Sequence, residues 1–234
     1  FVLARYLPPD QYGVYVILFT IYISLNSLQI SLITGPMAIL GSPLRGNHAK
    51  QYFTSLSILQ FLFIFLFLLV IFFLAISLSF CHGQQGRPML VIALGFGTAA
   101  LMGQDYFRRL LFTKLNTKGA LKADIIKCTL HIFAIILLIR FNHLSPPNIF
   151  LAFGVASLIS CAYGLIQTKD LFEYDHISLG GTIKENWAFG KWMVASIFAL
   201  QSSNQLYIYI GAIFLSPALV GVLGAARNLL GFAH

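Results

Sequence analysis

Two long stretches without a formally charged residue constrain the fold of this chain more than any other feature. Residues 11–44 form a run of 34 residues that contains no Asp, Glu, Lys or Arg. Residues 51–86 form a second run without these four residue types. A helix of about 20 apolar residues spans a bilayer, so either run is long enough to cross one. Hydrophobic residues make up 58% of the chain and charged residues only 9%, against about 25% charged in soluble domains. The sequence therefore predicts an all-α integral membrane protein built as a multi-pass helical bundle.

Proline, glycine and charged positions divide the chain into seven predicted membrane spans. They lie at residues 14–34, 52–80, 89–104, 123–139, 148–167, 193–215 and from residue 219 onward. The second span is long and consists mainly of Phe, Leu and Ile, so we expect it to be the most lipid-exposed helix. Residues 105–124 mix basic with aromatic and aliphatic side chains, which predicts helix ends and a connection lying on anionic lipid at the membrane interface.

Residues 169–190 form the most polar stretch and contain the pair Gly180-Gly181, which predicts a break and a linker between two helical bundles. We expect residues 1–168 to be an N-terminal bundle whose first helix is largely missing. Residues 191–234 are expected to be the truncated start of a second bundle. Because the chain begins at Phe1 and ends within an apolar run, we expect it to be a piece of a longer protein.

Lys and Arg residues are distributed unevenly between the two sets of connections. The connections at 41–52, 105–127 and 169–191 hold eleven of them, and the alternate connections hold three, with Arg227 counted separately as intramembrane. The positive-inside rule therefore predicts that loops 41–52, 105–124 and 169–191 are cytoplasmic, in a protein of the cell (inner, cytoplasmic) membrane.

The segment 5–15, Arg-Tyr-Leu-Pro-Pro-Asp-Gln-Tyr-Gly-Val-Tyr, predicts a corner between two helices on the opposite side. Its proline pair ends the preceding helix, because proline fixes φ and lacks an N–H, and Asp10 is expected to cap the next helix. A degraded copy at 215–222, Leu-Ser-Pro-Ala-Leu-Val-Gly-Val, aligns with residues 7–14 at an offset of 208 residues and shares Leu, Pro, Gly and Val. Two copies on the same side indicate a parallel internal repeat of six helices.

Three segments together resemble a known family. They are similar to segments of the polysaccharide-biosynthesis flippases, which belong to the multidrug, oligosaccharidyl-lipid and polysaccharide exporter superfamily. The segments are the corner at 3–15, Trp-Ala-Phe-Gly-Lys-Trp at 187–192 and Val-Gly-Val-Leu-Gly-Ala-Ala-Arg-Asn at 220–228. The resemblance covers essentially the whole chain. It implies a fragment of a two-bundle transporter, six plus six helices around a central cavity, that works by alternating access. It also implies that the protein is a transporter and not an enzyme. Such a transporter moves an undecaprenyl-diphosphate-linked oligosaccharide from the inner to the outer leaflet for surface polysaccharide biosynthesis.

Three alternatives remain open on the sequence alone. A cation-coupled multidrug exporter of the same superfamily would use a coupling cation and acidic residues within its helices, and we expect none of the seven Asp and Glu residues at mid-membrane. A membrane-embedded glycan polymerase, ligase or acyltransferase would need a large outer loop, and every predicted outer loop is short. A purely structural subunit is the third alternative.

Arg227 is the leading candidate for substrate binding. Its distance from Pro217 places it roughly 12 to 15 Å into the membrane, where an Arg is costly unless it faces water, a carboxylate or a phosphate. A guanidinium suits bidentate phosphate binding, and the alternative partner is a backbone carbonyl of a neighbouring helix. Gln201, Asn204 and Gln205 have the spacing of one helical face, which suits hydrogen bonds to sugar hydroxyls or to another helix.

Two further groups are candidate substrate contacts. Asn26 and Gln29, together with Tyr22, form a polar stripe on the first span. Arg108 and Arg109 are placed to meet the diphosphate at the inner leaflet, although retention of positive charge at the inner side explains them more simply.

Lys127 and His131, at i and i+4 of the fourth span, either line a cavity or relay a proton, or form a snorkelling Lys beside a satisfied His. The three cysteines have neither disulfide nor metal spacing, and no cofactor is expected. Segment 95–100 matches the dinucleotide fingerprint G-x-G-x-x-A, but within an apolar span close helix packing explains its glycines better. The net charge of +8 predicts an anionic partner at the lipid bilayer and not nucleic acid.

Overall fold

The computed structural model describes residues 2–82, 87–172 and 178–230, with the backbone alone at 78–82, 87 and 228–230. It is 91% helical and has no strands among the described residues, so the predicted all-α class is confirmed. The helices are α1 Val2–Tyr6, α2 Pro9–Gln29, α3 Gly35–Leu40, α4 Gly46–His82, α5 Arg87–Thr113, α6 Thr117–Arg140, α7 Pro146–Thr168, α8 Leu179–Phe214 and α9 Pro217–Leu230. A π-helical segment, Ile30–Thr34, joins α2 to α3, and a 3-10 turn, Lys169–Leu171, follows α7.

Four helical stretches are long and apolar enough to cross a membrane: Pro9–Leu40, Gly46–Ser77, Pro88–Thr113 and Pro146–Leu171. The stretch in α4 is the least buried of the four, at 22%. Helix α8, in which six of 36 residues are buried, is less buried than α4, so the prediction that the second span is the most lipid-exposed helix is not confirmed. The stretch in α5 is 72% buried and forms the centre of the bundle. Each of the other predicted spans is also helical, but α6 and α8 carry more polar residues, and the apolar part of α9 is short.

The prediction of helix ends at residues 105–124 is confirmed, but the connection between them is much shorter than that range. Residues 105–113 belong to α5 and residues 117–124 to α6, so only a three-residue turn separates the two helices. Leu115 adopts a positive φ of 58° in that turn, and the Asn116 side chain caps α6 by accepting a hydrogen bond from the backbone N–H of Gly119. This tight turn lets both helices continue through a segment whose mixed composition indicated an interface.

Other predicted boundaries also shift. Gly180 and Gly181 lie in the first turn of α8 and do not break it, because α8 begins at Leu179. The predicted loop 41–52 ends early, since α4 begins at Gly46. Pro8, and not Asp10, occupies the N-cap position of α2, and Asp10 contributes its negative charge to the first turn. Residue 1, residues 173–177 of the predicted linker and residues 231–234 lie outside the described part of the chain.

Glycines allow α5 and α7 to pack closely. A Cβ on Gly97 would lie 2.6 Å from the Phe150 carbonyl oxygen, and a Cβ on Gly154 would lie 2.4 Å from the Phe96 ring. Gly164 meets Phe107 in the same way at 2.7 Å. The G-x-G-x-x-A segment is therefore a helix-packing surface, as its position in an apolar span predicts.

The three connections rich in Lys and Arg lie at one end of the bundle. The Tyr52 hydroxyl donates a hydrogen bond of 2.8 Å to Asn186 Oδ1, which joins the start of α4 to the start of α8. The Lys114 ammonium group reaches the Leu44 carbonyl oxygen at 3.5 Å, which brings the α5–α6 turn to the same end. The uneven charge count therefore corresponds to a real asymmetry of the folded molecule.

The two corner sequences meet at the opposite end of the bundle. Residues of both corners share one apolar cluster with α7, since Leu7 and Val220 pack together with Ile149. A Cβ on Gly13 would lie 1.6 Å from the Pro217 carbonyl oxygen, and Gly224 lies against Val16 further along. Helices α2 and α9 therefore run parallel, each starting at the same level with a proline in its first turn.

Candidate functional site

A row of hydrogen bonds joins α2 to the antiparallel helix α8. Gln201 Nε2 donates to Ser27 Oγ. One helical turn further along α2, Ser24 Oγ and the Tyr209 hydroxyl share a hydrogen bond of 2.8 Å, and the same hydroxyl lies 3.3 Å from the Thr20 carbonyl oxygen. These neutral polar groups face one another between two largely apolar helices, where hydrogen bonds across the interface stabilise helix association.

Arg227 on α9 extends this row. Its Nη1 donates a hydrogen bond of 2.7 Å to Gln205 Oε1, and the Gln205 side chain is only 2% exposed. Arg227 itself is exposed, so the buried amide fixes one guanidinium nitrogen while the rest of the group stays accessible. Among the described residues the partner of Arg227 is therefore a side-chain amide and not a backbone carbonyl or a carboxylate. Such a guanidinium keeps donors available for an anion.

An open cavity of about 350 Å³ lies beside the hydrogen-bonded row, at the lower end of the roughly 300–1,000 Å³ typical of small-molecule sites. Its wall contains Ser24, Ser27 and Gln201 as polar groups, and Leu28 and Phe198 are among its apolar groups. Gln201 Oε1 is buried and has no hydrogen-bond partner within the described part of the chain. A free acceptor beside an apolar cavity suits a ligand that donates a hydroxyl hydrogen.

The prediction that Gln201, Asn204 and Gln205 share one face is only partly right. Gln201 and Gln205 point toward α2 and α9, whereas Asn204 is exposed on the outside of α8. The reason is geometric. Gln205, at i+4 from Gln201, lies closer to the line that runs along the helix through Gln201 than Asn204 does at i+3.

The polar stripe Tyr22, Asn26 and Gln29 faces a different neighbour, the central helix α5. Gln29 is fully buried, and its Nε2 donates a hydrogen bond of 3.0 Å to the Met102 carbonyl oxygen. Asn26 Oδ1 is buried without a partner among the described residues. The Tyr22 hydroxyl lies within electrostatic range of Asp105. The stripe therefore connects α2 to the charged part of α5 and not to α8.

Arg108 and Arg109 are paired with carboxylates. Asp105 Oδ2 accepts a hydrogen bond of 2.6 Å from Arg109 Nε, and Asp105 Oδ1 lies 3.6 Å from Arg108 Nε. Arg108 Nη1 also lies 3.4 Å from Asp124 Oδ2 on α6. The two positive charges are thereby balanced by two negative ones, which leaves them less suited to a substrate diphosphate than Arg227.

Lys127 and His131 on α6 both have partners. Lys127 Nζ donates a hydrogen bond of 2.8 Å to Gln104 Oε1, and His131 Nε2 lies 3.2 Å from the Phe153 carbonyl oxygen. The His131 ring also stacks on Phe153, with 4.5 Å between ring centroids. His131 thus fits the description of a satisfied histidine, and Lys127 reaches toward α5 instead of toward the lipid.

Sequence reasoning overlooked Ser24, Ser27 and Tyr209, which form the row. The signal for the serines is their spacing with Thr20 and Ser31, since these positions repeat every three or four residues along one face of α2. Asp105, which the sequence places just after the third predicted span, lies inside the stretch Pro88–Thr113 and is 9% exposed, because α5 continues beyond residue 104.

Within the described ranges, no group of three or more His, Cys, Asp or Glu residues is arranged to hold a metal ion. The side chains of Cys128 and Cys161 are free. Comparison with known proteins finds no matching family model, no similar curated protein and no similar solved structure.

Proposed function

We propose that this chain is part of a multi-pass flippase, which moves a lipid-diphosphate-linked oligosaccharide from the inner to the outer leaflet for surface polysaccharide biosynthesis. The observation that carries the proposal is the polar row formed by Arg227, Gln205 and Gln201 between apolar helices. It offers a cation for the diphosphate and a free amide oxygen for a sugar hydroxyl, with the 350 Å³ cavity beside them.

The meeting of the two corners supports a transporter over an enzyme. Parallel repeats related by an axis along the membrane normal are a common construction of transporters, with the substrate site near the repeat interface. Helices α2 and α9 carry the two corner copies and meet at that interface, where Gly13 and Pro217 are in contact. Arg227 lies on α9, about 15 Å from the start of that helix.

The test uses the full-length protein in a cell that lacks the chromosomal copy. We expect Arg227→Ala to block surface polysaccharide and to accumulate its lipid-linked precursor at the inner face, whereas Arg227→Lys retains partial activity because a positive charge remains. Arg140→Ala is the matched control, since it removes an exposed Arg at the end of α6. Wild-type polysaccharide in an Arg227→Ala strain that contains normal amounts of protein would contradict the proposal.

A cation-coupled exporter is the second candidate, and the position of Asp105 favours it. Such an exporter needs a carboxylate within the membrane, and Asp105 is a buried one in the central helix. Drug efflux from vesicles with and without an imposed proton or sodium gradient distinguishes the two functions. Efflux that depends on the gradient in wild type and is lost in Asp105→Asn favours the exporter.

A further inference from the structure

Two cationic side chains converge on a single backbone carbonyl at the end of the bundle that carries the basic connections. Arg45 Nη1 donates to the Leu44 carbonyl oxygen at 3.0 Å, and Lys114 Nζ reaches the same oxygen at 3.5 Å. The two nitrogens are therefore no more than 6.5 Å apart, which is the sum of these two distances.

The fold holds both side chains in place. Arg45 Nη1 also donates a hydrogen bond of 2.7 Å to the Ser42 carbonyl oxygen in the loop between α3 and α4. Lys114 Nζ lies 4.3 Å from the centroid of the Phe53 ring, in a cation–π contact. Two residues distant in sequence are thus positioned together by the packing of α4 against α5.

Neither cation has a carboxylate partner within the part of the chain that the structure describes. The ion pairs of that part join Arg108 and Arg109 to Asp105 and Asp124. Burial lowers the pKa of Lys114, and the charge of Arg45 lowers this pKa further. Two like charges held this close together, with no carboxylate of the described residues between them, favour the binding of an anion.

The surroundings of the pair are those of a membrane interface. Lys114 and Arg45 lie beyond the ends of two candidate spans, Gly46–Ser77 and Pro88–Thr113. Leu115, next to Lys114, has a positive φ of 58° and is 82% exposed. An exposed Leu beside two cations matches a surface where phosphate headgroups meet acyl chains.

We propose that Arg45 and Lys114 bind the phosphate group of an anionic phospholipid, with Leu115 against its acyl region. The guanidinium supplies two parallel donors and the ammonium group a point charge, and together they enclose a phosphate from two sides. The proposal does not depend on the transported substrate, because the pair lies away from the α2–α8–α9 row.

The test is lipid binding to the purified full-length protein, measured by native mass spectrometry and by thermal unfolding in detergent. Phosphatidylglycerol is compared with phosphatidylcholine for wild type, for R45Q/K114Q and for the charge-matched control K118Q/K122Q. Lys118 and Lys122 are exposed residues of α6 outside the pair. We expect R45Q/K114Q to bind phosphatidylglycerol roughly tenfold more weakly, and K118Q/K122Q to change binding less than about threefold.

Two results would overturn the proposal. An equal loss of phosphatidylglycerol binding in both double variants would mean diffuse attraction to the whole basic end. Stabilisation by millimolar inorganic phosphate equal to that by phosphatidylglycerol would mean a site for free phosphate and not for a lipid. If R45Q/K114Q fails to fold, the single variants Arg45→Gln and Lys114→Gln are compared with Lys118→Gln, with the same two contrary outcomes.

Discussion

Gly13 on α2 lies against the backbone carbonyl of Pro217 on α9, and Gly221 on α9 lies against that of Pro9 on α2. A Cβ on Gly13 would come within 1.6 Å of the Pro217 carbonyl oxygen, and a Cβ on Gly221 would come within 3.2 Å of the Pro9 carbonyl oxygen. The two contacts exchange under the offset of 208 residues that relates the corner sequences. This reciprocity is the pattern that a two-fold axis between the two corner segments would produce.

Gly13→Ala tests the tighter of these contacts. The added methyl group would collide with a backbone atom that no rotamer change can move, so we expect a loss of stability of about 1–3 kcal/mol or more. The measurement is thermal unfolding of the purified protein. Gly180→Ala is the control, because a Cβ there meets nothing within 4 Å. In the first turn of α8 it should be neutral or stabilising by up to about 1 kcal/mol.

A cysteine pair tests the parallel arrangement of α2 and α9. A Cβ on Gly224 would lie 3.4 Å from the Val16 Cβ, close to the roughly 3.5–4.5 Å of disulfides. We expect Val16→Cys/Gly224→Cys, in a protein whose native cysteines are replaced, to form an intramolecular disulfide under mild oxidation. Mass spectrometry of the proteolysed protein detects the linked peptides. Val16→Cys/Val222→Cys should not link, since Val222 is 62% exposed. Equal linking of both pairs would show that the two helices are not fixed in this register.

Gln205→Leu tests the hydrogen bond to Arg227. The substitution leaves one guanidinium nitrogen without its partner, and we expect a loss of about 1 kcal/mol, reduced because Arg227 is exposed. Transport should fall at the same time, because the guanidinium is no longer held in place. Asn204→Leu is the matched control on the exposed side of α8 and should change neither stability nor transport. Similar losses in both variants would argue against a specific role for the hydrogen bond.

Asp105→Asn tests the charged network between α5 and α6. Removing this carboxylate charge leaves two guanidinium groups facing each other, and we expect a loss of about 2 kcal/mol, less than the roughly 3–5 kcal/mol of fully buried pairs because both Arg side chains are partly exposed. Asp124→Asn should cost less, since Asp124 has a single longer contact at 3.4 Å. Thermal unfolding of both variants gives the comparison, and the opposite ranking would mean that Asp124 is the main counter-ion.

The sequence predicted the helices well because their signals are local. Runs without charge, proline pairs and glycine positions act over a few turns, and each predicted span coincides with a helix in the described residues. The boundaries at 105–124 and at 180–181 shifted because charged residues and glycines do not by themselves end a helix. Asp105 pairs with Arg108 and Arg109 one turn further along α5, so charges of both signs are accommodated within that helix.

The candidate site was predicted in part. Arg227, Gln201 and Gln205 were identified because polar residues are costly in an apolar span. Their partners were not, because Ser27 lies 174 residues from Gln201 in the chain and a serine in a helix can also bond to its own backbone. Arg108 and Arg109 were considered as diphosphate contacts, with retention of positive charge at the inner side as the simpler explanation, because the sequence does not show that Asp105 and Asp124 balance their charges.

By itself the sequence determined that the chain is helical and apolar enough to enter a membrane, and that its basic residues favour alternate connections. It predicted seven spans, and the described structure has four helical stretches long and apolar enough to cross a membrane. The tertiary structure alone decided which polar groups meet between helices: Arg227 with Gln205, Arg108 with Asp124, and Arg45 with Lys114 at one carbonyl. The physical reason is that helix formation and burial follow from short-range periodicity. Hydrogen bonds and ion pairs between helices depend on how those helices pack, which is settled by the shapes of all the side chains together.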